Sequence, residues 1–185
     1  MSVFGDGLDA AVQKAFTRPA PKSAPAQMRY LVKQLKSTKA VAQMLRISQR
    51  TVERYLKDQI KKPRPDLAAR LENEVKKRWQ PQIRAKARQK AATTDGIVID
   101  TRARIGYTAP IGTTDEDRLR HLTVALPPRY AARLFNAQEQ GATDQELQQI
   151  AAEALKEVYF QDNGRRAGQL EEVRFTDIEH LEFDL

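Results

Sequence analysis

Between residues 27 and 57 the apolar residues recur at helical spacing in three short runs. The first, at about 27–36, is striped by Met28, Leu31, Val32 and Leu35. The second opens behind Ser37 or Thr38, either of which can cap it, and carries Val41, Ala42, Met44 and Leu45. The third opens behind Ser48 and carries Val52, Tyr55 and Leu56. Runs this short are marginal as isolated helices, so they must bury their stripes against one another. Thr38–Lys57 (TKAVAQMLRISQRTVERYLK) also has the spacing of a helix-turn-helix. Ala42 is the small residue where the two helices cross, and Val41, Leu45, Ile47, Val52 and Tyr55 bury the angle between them. Four residues after the small one, glycine is usual because φ is often positive there. Here that residue is Arg46, a departure worth up to about 1 kcal/mol.

Charge supplies the function class. The 185 residues hold 32 Lys+Arg and 24 Asp+Glu, a net of +8. The average conceals a division: residues 1–90 hold 22 and 7, a net of +15, whereas residues 91–185 hold 10 and 17, a net of −7. A half this basic is the footprint of a nucleic-acid-binding surface. The second helix of the motif would enter the major groove, exposing Gln49, Arg50, Thr51, Glu53, Arg54 and Lys57. Gln49, Arg50 and Arg54 are the candidate base readers, since Gln suits adenine and Arg suits guanine. Lys57, Lys61, Lys62 and Arg64 are candidate phosphate contacts. Residues 76–90 add Lys76, Lys77, Arg78, Arg84, Lys86, Arg88 and Lys90 with no acid among them. Contact with roughly six to eight phosphates would give a salt slope of about −5 to −7. Trp79, within that run, is either a core residue at a helix end or a stacking platform for an unpaired base.

The remaining pattern predicts a mostly α chain with a small antiparallel β element, an α+β fold. A short amphipathic helix over 1–17 (Leu8, Ala11, Val12, Ala15, Phe16) precedes a proline-rich linker at 18–26. The basic helix-turn-helix region then spans 27–90, including a helix over about 66–79 capped by Asp66 and ended or kinked by Pro81. An acidic mixed region spans 91–185. Within it, alternating β-branched residues at 96–109 predict one or two strands, and helices are expected at 114–126, 127–140 and 144–160. Pro127 and Pro128 suit a helix's first turn, and Thr143 with Glu146 forms a capping box. The acidic tail 171–185 returns to strand-like spacing and can pair with the basic strand containing Arg102 and Arg104.

Several chemistries are excluded or disfavoured. There is no cysteine, and the two histidines, His121 and His180, lie far apart in sequence. No phosphate-binding loop, GxGxxG or HExxH occurs. Asp115, Glu116 and Asp117 read as the acidic first turn of a helix rather than as metal ligands. No run approaches 18 apolar residues, and the N-terminus carries Asp6 and Asp9 without an apolar stretch. The expectation is a soluble cytoplasmic protein without a cofactor of its own and without membrane contact. Read on residues alone, Thr114 is a helix cap with Asp117 three residues on, and Thr113 is the competing cap with Glu116 three residues on.

Long strings along the chain then carry a resemblance: FGDGLDAAVQKAFTRPAPKSA (4–24), MRYLVKQ (28–34), SQRTVERYLKDQIKKPRPDLAARLE (48–72), KRWQPQIRAKARQKAATT (77–94), VIDTRARIGYTAPIGTTD (98–115), LPPRYAARLFNAQE (126–139), EVYFQD (157–162) and FTDIEHLEFDL (175–185). The sequence resembles the telomere terminal proteins (Tpg) of linear actinomycete chromosomes and plasmids. The resemblance implies a protein covalently attached to the 5′ ends of linear replicons, acting as a protein primer rather than an enzyme. It implies a threonine acceptor in the segment Gly112-Thr113-Thr114-Asp115, at Thr114, with Thr113 as runner-up. It further implies telomeric DNA, a telomere-associated protein that binds the terminal single strand, and a DNA polymerase as partners. Mg2+ and a deoxynucleotide would come with the polymerase reaction. The alternative expectation is a helix-turn-helix transcription regulator.

Overall fold

A computed structural model describes residues 2–108, 115–161, 163 and 170–185. In chain order the helices are α1 (Val3–Lys14), α2 (Ala24–Leu35), α3 (Thr38–Leu45), α4 (Gln49–Leu56), α5 (Pro65–Arg78) and α6 (Pro81–Lys90), the last running into a π-helical turn, Ala91–Asp95. Strands β1 (Ile97–Thr108) and β2 (Asp115–Leu126) follow, then α7 (Pro128–Glu139), α8 (Asp144–Leu155), a second π-helical turn (Lys156–Phe160) and β3 (Glu172–Asp184). The protein is α+β, mostly helical with one small sheet. It forms two compact units: residues 17–81, and residues 1–16 together with 82–185. These units do not follow the divisions at 26/27 and 90/91 expected from composition, because α1 and residues 82–90 are packed into the C-terminal unit.

In the smaller unit the serine caps work as their positions predict. Ser37 Oγ accepts from Ala40 N–H at the start of α3, and Ser48 Oγ accepts from Thr51 N–H at the start of α4. Helix α2 begins earlier than expected, behind Ser23, and Gln27 Nε2 donates to Pro21 O at 2.9 Å to tie down the linker end. Helix α5 begins at Pro65, whose fixed φ suits a first helical position, so Asp66 lies inside the first turn and is not the cap. Met28, Leu31, Val41, Leu45, Val52, Leu71 and Val75 are at most 1% exposed and form this unit's core.

The larger unit is built on an antiparallel sheet of order β2-β1-β3. Burial alternates along β1, so Ile97, Ile99, Ala103 and Ile105 face inward. They join Leu122 and Leu126 of β2 and Phe175 and Phe183 of β3. Phe4, Leu8 and Val12 of α1, Leu134 and Phe135 of α7, and Leu147 and Leu155 of α8 complete this core. Gly7 lets α1 approach Phe183, since a Cβ there would lie 3.1 Å from that ring. Gly96 takes φ +78° in the turn into β1, where a Cβ would meet Leu126 O at 2.2 Å.

Two expectations for this unit need correction. Residues 115–126 are a strand, not a helix, so Asp117 is not part of a helical first turn and there is no helix here for Thr114 to cap. In DEDRLRHLTVAL the residues Leu119, Leu122 and Leu126 fit a helical stripe, while Leu122, Val124 and Leu126 fit alternation. The free edge of β1 decides between them, because pairing from Ile97↔Leu126 to Tyr107↔Asp115 satisfies its backbone. Likewise the last helix is α-helical only to Leu155. The acidic tail does pair with β1 as anticipated, placing Arg102 Nε 2.9 Å from Glu179 and Arg104 Nε 3.5 Å from Asp177. The capping box of Thr143 and Glu146 is also present.

Candidate nucleic-acid interface

The turn between α3 and α4 closes as a Schellman motif. Arg46 sits in the left-handed region at φ 54°, ψ 48°, its N–H donates to Gln43 O at 3.1 Å, and Ile47 N–H donates to Ala42 O at 2.9 Å. Arg46 thus adopts the backbone for which glycine is the usual choice. A second left-handed residue, Asp58 at φ 57°, ends α4, where Gln59 N–H donates to Arg54 O. The Asp58 carboxylate is bonded by Arg29 from α2.

This geometry presents one face of α4 to solvent. Gln49, Arg50, Arg54 and Lys57 are exposed, with Glu53 and Thr51 half-exposed between them. Thr51 Oγ1 lies 2.8 Å from Ser48 Oγ, so its hydroxyl serves the cap. Gln49 Nε2 donates to Thr38 Oγ1 and to Glu53 Oε1, both at 3.1 Å. Lys61, Lys62 and Arg64 are exposed on the connector to α5. Among the described residues none of Arg50, Arg54, Lys57, Lys61, Lys62 or Arg64 has an ion-pair partner. Lys36, Lys39 and Arg46 are also exposed, and none of them was read from the sequence as a phosphate contact. Their signal was available, because the first helix of such a motif crosses the phosphate backbone. The unit that holds all of these carries 17 Lys+Arg against 5 Asp+Glu, a net of +12.

The run 76–90 is less uniform than its charge suggests. Lys76 lies 2.7 Å from Glu72, and Glu74 takes both Arg78 and, at 3.8 Å, Lys77. Trp79 is half-buried, its Nε1 donating to Arg18 O at 2.9 Å and its ring meeting Tyr30 edge-on at 4.9 Å. Arg84 and Arg88 belong to the other unit, with side chains only 12% and 19% exposed. Arg84 is 2.8 Å from Asp9, and Arg88 reaches Glu139 at 2.7 Å and Gln138 Oε1 at 3.1 Å while lying over the Phe135 ring. These two guanidiniums bind α6 to α1 and α7. Lys90 pairs with Asp95 at 2.6 Å, whereas Lys86 is exposed without an ion pair among the described residues.

Thr113 and Thr114 lie outside the described residues; Asp115, which follows them, begins β2. On the solvent face of the sheet the two histidines, 59 residues apart in sequence, meet at one carboxylate. His121 Nε2 is 3.2 Å and His180 Nε2 3.3 Å from Asp100 Oδ1. Thr123 Oγ1 donates to Asp100 Oδ2 at 2.5 Å. That hydroxyl bond, against a smaller opposing effect of burial and with help from the imidazoles, holds the Asp100 carboxyl below its ordinary pKa. Sequence separation concealed this cluster, which only the β2-β1-β3 register assembles. Among the described residues no group of three or more His, Asp or Glu is arranged to hold a metal ion. No described helix is long and apolar enough to cross a membrane. No family model, curated protein or solved structure matches the chain.

Proposed function

We propose that this chain binds DNA through the helix-turn-helix of residues 38–57 and serves as a terminal protein at the 5′ ends of linear replicons. The observation that carries DNA binding is the exposed face of α4. Arg50, Arg54 and Lys57 stand there without ion pairs among the described residues, followed by Lys61, Lys62 and Arg64. Cations left uncommitted inside the protein are available to displace counterions from phosphates. The priming role is supported by the sequence resemblance, which points to Thr114. In this reading its hydroxyl oxygen attacks the α-phosphorus of a deoxynucleoside triphosphate in line. An oxygen–phosphorus ester forms, pyrophosphate leaves, and the hydroxyl proton passes to a base in the polymerase active site. The polymerase also brings the Mg2+ ions, so the chain is a substrate of catalysis. A telomere-associated protein holding the terminal single strand completes the assembly, in the cytoplasm at the replicon ends.

The charge division suggests a division of labour. The unit of residues 17–81 holds the DNA end, and the other unit, with 15 Lys+Arg against 19 Asp+Glu, presents the hydroxyl and meets protein partners. The test is incubation with polymerase, telomeric single-stranded template and labelled deoxynucleotide. Wild type should become labelled, the label should be released by mild alkali, and Thr114→Ala should not label. A Thr114→Ala protein that labels as strongly as wild type would falsify the acceptor assignment. The helix-turn-helix also favours a second reading, a transcription regulator. Tight binding to a palindromic duplex with half-sites about one helical turn apart, and no nucleotide adduct, would favour it over the first.

A further inference from the structure

Glu53 is the only acid between Thr38 and Lys57, and it stands amid the cations of α4. Arg50 lies three residues before it and Lys57 four after, both at helical neighbour spacing. It forms an ion pair with neither. Its Oε1 instead accepts from Gln49 Nε2 at 3.1 Å. That contact settles the orientation of the Gln49 amide, since an ionised carboxylate can only accept and the facing atom must be the nitrogen. The second Gln49 N–H goes to Thr38 Oγ1 at 3.1 Å. Both amide donors are therefore used inside the protein. Gln49 Oε1 and Glu53 Oε2 are left as acceptors, with no donor meeting them among the described residues.

We infer that Glu53, buttressed by Gln49, is a specificity-determining residue that reads the exocyclic amino group of cytosine in the major groove. This rests on the helix-turn-helix reading above. Bidentate adenine recognition by Gln49 needs a free amide N–H, which this arrangement withholds. A carboxylate accepts from cytosine N4–H2, while neighbouring Arg50 and Arg54 match guanine O6 and N7. Acceptors beside guanidiniums thus complement a G·C pair, which displays both kinds of group. The same carboxylate is repelled by phosphates and by the thymine O4, so it weakens binding wherever no amino group meets it.

The experiment is selection of bound sites from a random double-stranded DNA library with full-length wild type, Glu53→Gln and Glu53→Asp. Wild type should enrich sites with a cytosine at one position. Glu53→Asp should keep that choice, and Glu53→Gln should lose it by about tenfold, the scale of one good base contact, while binding non-selected duplexes more tightly. Unchanged cytosine preference in Glu53→Gln would overturn the inference and leave the helix-turn-helix reading standing. So would loss of that preference in Glu53→Asp as complete as in Glu53→Gln, because the retained carboxylate would then not be what reads the base. If wild type itself enriches no sequence, the underlying reading fails.

Discussion

Asp144 ties the start of α8 to the start of α1 within the larger unit, and its removal has a consequence that can be worked out. It is the first residue of α8, and its carboxylate reaches the N-terminus of α1, about 140 residues away. Oδ1 accepts from Ser2 Oγ at 2.8 Å, Phe4 N–H at 2.8 Å and Gly5 N–H at 3.2 Å, and Oδ2 accepts from Val3 N–H at 3.0 Å. The first amides of α1 are thus satisfied by a charge at the positive end of its dipole. Burial works against ionisation of Asp144, but the hydroxyl of Ser2 and the amides of Gly5, Phe4 and Val3 more than offset it, so its pKa is lowered.

Replacing a helix cap by alanine costs about 0.5–2 kcal/mol, and hydrogen bonds to a charged group lie at the stronger end. Water can reach part of this helix end, and Ser2 Oγ still accepts from Gly5 N–H at 3.1 Å. We therefore expect Asp144→Ala to lose about 2 kcal/mol and Asp144→Asn about 1 kcal/mol. A carboxyl whose folded pKa is depressed contributes stability that is present above its unfolded value of about 3.9. That contribution is lost as pH falls through the folded pKa. The gap between wild type and Asp144→Asn should then be full at neutral pH and close in acid. Urea unfolding followed by circular dichroism at both pH values measures it, and amide exchange of residues 3–5 localises it. Equal stabilities at neutral pH, or a gap that persists undiminished in acid, would refute the reasoning.

Three further outcomes follow from the geometry. Arg46→Gly should raise stability by about 0.5–1 kcal/mol in thermal unfolding, because φ 54° is strained for arginine and free for glycine. A loss of stability would show that the Arg46 side chain, rather than its backbone, matters to the turn. Lys61→Ala and Lys62→Ala should each reduce the salt slope of DNA binding by about 1 with stability unchanged. Arg84→Ala and Arg88→Ala should instead lower stability, by about 1–2 kcal/mol after allowing for partial solvent screening, and leave the slope alone. The reverse assignment would mean that α6 is a DNA arm.

What the sequence determined by itself was much of what near neighbours govern, although the starts of α2 and α5 lie earlier than read. Ser48 and the Thr143–Glu146 box could be placed, and the α3 cap narrowed to Ser37 or Thr38, because a cap needs only the three residues after it. Arg46 was marked as an unusual turn residue, and the structure gives it the positive φ that the spacing demanded. The exposed set on α4 was equally legible, since helical periodicity alone separates Val52 and Tyr55 from Arg50, Arg54 and Lys57.

Tertiary structure decided the rest. Residues 115–126 carry both helical and alternating spacing, and only the presence of β1 as a partner made them a strand. Charge was counted correctly along 76–90, but counting cannot tell a cation facing water from one facing Asp9. That depends on α1 packing against distant elements of the larger unit. His121, His180 and Asp100 met for the same reason, because strand register brings together residues that no local pattern relates. Glu53 was visible among the exposed residues of α4, yet its bond to Gln49 emerged only with the side chains in place. Local hydrogen bonds and periodicity are short-range and can be read along a chain. Pairing, burial and the partner of each charge are set by the packing of remote segments, so they exist only in the folded protein.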